Sequence, residues 1–168
     1  MKKSPKPIRK AKVEPSFSHY LEGLKEGQPI ELVLVGHLVL DALLVELIQL
    51  KIVGDTPWKW HFPTKVQCCV DNGFLSPASQ PFYTRFNDIR NDFAHMLGHK
   101  LTFDDVFALV ADMAKAGYDF SDDTIHSDRK LSEEWYGIEG VLIEILNNLY
   151  FELAESLHTH GGADRMGG

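Results

Sequence analysis

Ile89-Arg90-Asn91-Asp92-Phe93-Ala94-His95 is the stretch from which the fold of this 168-residue chain is read. It pairs an arginine and a histidine across four intervening residues, R-x-x-x-x-H, with a polar asparagine directly after the arginine. Arginine forks onto phosphate or carboxylate and histidine titrates near neutral pH, and no other segment brings both together so tightly. The stretch falls late in a helix predicted from about Pro81 to Leu97 and closed at Gly98, with Phe82, Phe86, Ile89, Phe93 and Leu97 as its buried stripe. At roughly 100° per residue, Arg90 lies at the edge of that stripe, while Asn91 and His95 stand one turn apart on a polar side with Asn87 and Asp88. About 140° then separates Arg90 from His95, so the two side chains do not simply touch.

Outward from this helix, the periodicity stays helical. Pro29 opens a long apolar helix reaching about Val53, with Leu43, Leu47 and Leu50 on its driest side and Asp41, Glu46 and Gln49 opposite. A short helix from Ser16 to Gly27 precedes it, carrying Phe17, Tyr20, Leu21 and Leu24. The loop Gly54 to Pro63 holds Trp58, Trp60 and Phe62, which read as core filling. Thr64 to Asn72 is a further helix with Val66, Cys69 and Val70 inward, ended by Asn72-Gly73. Thr102-x-x-Asp105 is a capping box that starts a helix stopped by Gly117. Tyr118 to Lys130 is acidic and reads as a surface loop. One last helix is expected from Ser132 to Leu157, striped by Trp135, Ile138, Leu142, Ile145, Leu149, Leu153 and Leu157, with Gly137 and Gly140 permitting close helix approach. No strand pattern and no repeat is present. The fold class is all-α, a single domain of about five to six helices over residues 16–158, between a basic arm without fixed structure (1–15) and a disordered tail (159–168).

Composition narrows the function classes. Hydrophobic content of 44% and charged content of 24% are ordinary for a soluble domain. The run Ile30 to Val53 is interrupted by Glu31, His37, Asp41, Glu46, Gln49 and Lys51, too often for a membrane span. No apolar signal segment follows the basic start, so a cytoplasmic location is expected, and the neighbouring Cys68 and Cys69 read as reduced buried thiols. The net charge of −7 is unevenly spread. The first twelve residues hold six basic side chains and no acid, which leaves eleven basic against 24 acidic residues, or −13, for the remainder. A body that acidic repels a nucleic-acid backbone. His95 and His99, His158 and His160, and Asp119, Asp122 and Asp123 lack the ligand sets of a metal site, so no metal is expected, and with no glycine loop for phosphate or dinucleotide no cofactor is expected either.

The string Ile89 to His95 resembles the R-N-x-x-A-H signature of the HEPN superfamily of small helical domains. With the long apolar helix bearing Asp41 and Glu46, the Gly73-Phe74-Leu75 break and the Leu101-Thr102-Phe103-Asp104-Asp105 helix start, it is similar to the mannitol operon repressor family over about Pro29 to Tyr118. That resemblance implies a HEPN-like bundle and a transcriptional regulator of mannitol uptake and utilisation. The residues add a restriction: with no helix-turn-helix and an acidic body, repression through a protein partner is expected rather than direct DNA reading. The alternative implied by the superfamily is metal-independent RNA cleavage. In it His95 is the general acid or base, Arg90 stabilises the phosphorane and Asn91 orients either group. One histidine does not easily serve both proton transfers, so a two-fold dimer would pair two motifs across one cleft. The two nearly all-apolar helices also point to a homodimer or larger assembly. Finally, Arg90, Asn91 and His95 suit a structural polar cluster, with Arg90 capping carbonyls or pairing with Asp41 or Glu46 and His95 facing the helix dipole.

Overall fold

The computed structural model describes residues 29–54, 56–96 and 99–166. The helix expected at Ser16 to Gly27, the basic arm, Leu97 and the Gly98 stop lie outside them. Among the described residues there are seven α-helices and no strand: α1 (Pro29–Lys51), α2 (Phe62–Asp71), α3 (Gln80–His95), α4 (Phe103–Lys115), α5 (Thr124–Ser127), α6 (Arg129–Trp135) and α7 (Gly137–Thr159). A 3-10 turn at Pro57–Lys59 leads into α2.

The two 23-residue helices, α1 and α7, form the spine. They cross where Gly36 admits Leu146; a Cβ at position 36 would stand 2.5 Å from Leu146 Cδ2. Both helices finish at Phe74, which takes a hydrogen bond from Ser156 Oγ to its carbonyl oxygen at 2.6 Å and the Lys51 ammonium over its ring at 5.0 Å. Around the crossing, Leu40, Leu43, Leu44 and Leu47 of α1 and Leu142, Ile145, Leu149 and Leu153 of α7 are fully buried. At roughly 25 cal/mol for each Å² of apolar surface removed from water, such a spine dominates the stability of the domain.

Several elements begin and end as their residues dictate. The capping box at α4 is complete, Thr102 accepting from the Asp105 amide while Asp105 accepts from the Thr102 amide, and Gly117 follows the helix with φ 95°. Other expectations are corrected. The last helix is two, because Gly137 adopts φ 60° and breaks the α6–α7 junction, so it is a hinge in the backbone and not a site of helix contact. Trp135, expected in the stripe, is 59% exposed at the end of α6. Leu50, expected on the dry side of α1, is 39% exposed, while Leu47 and Ile48 just before it are fully buried. The acidic stretch Tyr118 to Lys130 contains the helical turn α5, whose Ile125 is buried and whose carbonyl accepts from Ser132 Oγ at 2.7 Å. After α7 the chain turns back, and Arg165 pairs with Glu46 of α1 at 2.8 Å while its carbonyl accepts from Tyr150 Oη.

Candidate functional site

α3 positions the R-x-x-x-x-H residues, and its two halves differ in what holds them. Pro81 sits in its first turn, where a missing amide costs nothing. In the first half Tyr83 is fully buried, and its hydroxyl donates to the Leu149 carbonyl at 2.9 Å and to Glu152 Oε2 at 3.0 Å. Tyr118 Oη donates to the same oxygen at 2.7 Å, and Ser79 Oγ donates to Glu152 Oε1. Glu152 thus gathers three hydroxyls from the entrance of α3 and the exit of α4. Burial, then the nearby carboxylate, pushes the Tyr83 phenol well above its ordinary value, so it stays a donor at any physiological pH.

One turn further, Asn87 is buried, not on the polar side expected for it, and its Oδ1 accepts from His37 Nε2 of α1 at 2.9 Å. Because that oxygen only accepts, Nε2 carries the proton. The His37 ring also lies 4.3 Å from the Phe62 ring at the start of α2. Burial holds the imidazole below its ordinary pKa; the Asn87 bond opposes this, and the Arg90 and Lys65 charges add to the lowering. One turn along α1, Asp41 receives the Lys65 ammonium at 2.6 and 2.7 Å, with Lys65 only 2% exposed. This polar seam of His37, Asp41, Lys65 and Asn87 ties α1, α2 and α3 together.

The three residues singled out in the sequence lie beyond that seam and do not converge. Arg90 is half-buried, and its Nη1 donates to Asn91 Oδ1 at 3.1 Å. The carboxylates considered as its partners are engaged elsewhere, Asp41 with Lys65 and Glu46 with Arg165. His95 is exposed, the last residue of α3, and no hydrogen bond joins it to Arg90 or Asn91. On the flank of α3 facing α4 there is instead a groove of about 360 Å³, lined by Asp88, Asp92, Asp104 and Asp105 with Arg85 and His99. Arg85 is bound to Asp112 at 2.8 Å, outside the groove. Among the described residues no three His, Cys, Asp or Glu side chains cluster to hold a metal ion, and no helix is long and apolar enough to cross a membrane.

His37, Lys65 and Glu152 were not singled out from the sequence. A signal existed for the first, a histidine inside an otherwise apolar run beside Gly36; its partner stands 50 residues away. Compared with protein-family models, with curated proteins and with solved structures, the chain finds no match in any of the three.

Proposed function

We propose that this protein is a cytoplasmic transcriptional regulator of the mannitol-operon-repressor type within a HEPN-like helical fold, acting through a protein partner rather than by reading DNA, and working as a homodimer or larger assembly. The reading rests on the string Ile89 to His95 and its helical surroundings. The observation that carries the mode of action is the groove beside that string. Four carboxylates line it against Arg85 and His99, and Arg85 is itself paired. A phosphate backbone laid along this flank of α3 meets repulsion at each of them. For the assembly, Trp135 and Phe151, 59% and 50% exposed, are the aromatic surface on offer, since α1 and α7 spend most of their apolar residues on each other.

The test is paired. Deleting the gene should raise expression of the mannitol operon, and the purified protein at physiological salt should leave operator DNA unshifted unless a partner is added. Unchanged expression overturns the regulator, and tight operator binding by the protein alone overturns the indirect route. RNA cleavage that survives chelator and vanishes in His95→Ala would establish the ribonuclease alternative; exposed His95 can be replaced with a stability change within about 0.5 kcal/mol, so that loss would not be a folding artefact.

A further inference from the structure

Beyond α7 the chain reverses and straps itself onto the spine. Gly161 takes φ 81°, and the Gly162 amide donates to the Leu157 carbonyl at 2.8 Å, which turns residues 163–166 back along the helix. A Cβ at position 162 would stand 2.5 Å from Leu157 Cδ1 and 3.0 Å from the Leu157 oxygen, so the turn needs glycine there. Past the turn Ala163, Asp164 and Met166 are exposed, and Arg165 is the side chain that the strap sinks into the body. Its guanidinium forks onto Glu46 of α1, Nη2 at 2.8 Å from Oε1 and Nε at 3.4 Å from Oε2, with the two side chains 18% and 15% exposed. The Arg165 carbonyl accepts from Tyr150 Oη of α7 at 2.7 Å. One arginine residue is thus read twice, its side chain by a carboxylate and its backbone by a phenol. Both readers belong to the crossed spine, Glu46 between the fully buried Val45 and Leu47 and Tyr150 next to the fully buried Leu149, so they keep their places whether or not the strap is seated.

We infer that the notch between Glu46 and Tyr150 is a recognition site for an arginine residue in a peptide segment, held closed by the chain's own tail and opened to a segment of a different protein. The tail is tethered by the short turn at 160–162, which presents Arg165 to the notch at an effective concentration on the order of millimolar. A second copy's tail has the same sequence and offers the same contacts, so at micromolar concentration it loses to the tethered one. A segment that enters must therefore bind more tightly than residues 163–166 do. Its fixed requirement is the arginine fork, because lysine brings a point charge that cannot span both carboxylate oxygens.

Calorimetry on full-length variants with a capped synthetic peptide of the sequence Gly161 to Met166 tests the site. Arg165→Ala empties the notch, and Gly162→Val opens it by a different route, through the clash with Leu157. Both should bind the peptide, and the wild type should bind it on the order of tenfold more weakly because its own tail competes. Glu46→Gln added to either variant, or lysine in place of the peptide's arginine, should weaken binding by on the order of tenfold. No binding to either variant at millimolar peptide, equal binding by the wild type, or binding indifferent to Glu46→Gln would each overturn the inference. Wild-type self-association that Glu46→Gln abolishes would also overturn it, by showing that a second copy's tail takes the notch.

Discussion

Two carboxylates, Asp41 and Glu152, are both drawn into the bundle, and they are satisfied in opposite ways. Asp41 meets a cation, Lys65, whose side chain is only 2% exposed. Glu152 meets hydroxyls, from Ser79, Tyr83 and Tyr118, and keeps its charge spread over neutral donors. The difference matters for what each tolerates. A hydroxyl network loses donors one at a time, whereas a buried ion pair loses half of itself and strands the other half.

The largest effect should therefore come from Asp41→Ala, which leaves the Lys65 ammonium buried without a counter-charge and should cost about 3 kcal/mol or more in chemical denaturation. Asp41→Ala combined with Lys65→Met should recover most of that loss; failure to do so would mean the seam's charge is not what the pair contributes. Glu152→Ala should cost less, about 2 kcal/mol, since half-buried Tyr118 can recruit water while buried Tyr83 still has the Leu149 carbonyl. A Glu152 variant as damaging as Asp41→Ala would erase the distinction between the two regions. The smallest effect is the pH response of the seam. His37 has its folded pKa depressed by burial, so the unfolded chain takes up a proton first as pH falls. Stability from this group is complete above the unfolded value of about 6.5 and declines below it, by at most about 1.4 kcal/mol per pH unit, until the folded pKa is reached. His37→Gln should flatten the slope of melting temperature between pH 6.5 and the acid side, and an unchanged slope would place the titration elsewhere.

What the sequence made legible follows from how local each signal is. Pro29 opening α1, the Thr102–Asp105 box and the phase of Phe82 and Phe86 rest on neighbours within a turn or two, and the helices stand where those signals put them. Gly137 was read as a contact residue because spacing shows only that a side chain is missing, not whether the backbone uses the space or the φ. The two polar networks were invisible for another reason. Whether Asn87 or Lys65 faces water depends on a partner 50 or 24 residues away, and helical periodicity assigns each to the polar side by default. The angular separation of Arg90 from His95 is, by contrast, a property of one helix, in which the arginine bonds its neighbour Asn91 and the histidine is exposed.

Gly36 has a consequence for ancestry. The distance between the two long helices is set there by one absent methyl, filled by the branched end of Leu146. A descendant that acquires a side chain at 36 must give up volume at 146 or spread its spine. The two positions should thus change together, a compensating pair able to betray kinship between chains whose Arg90 and His95 have long since drifted apart.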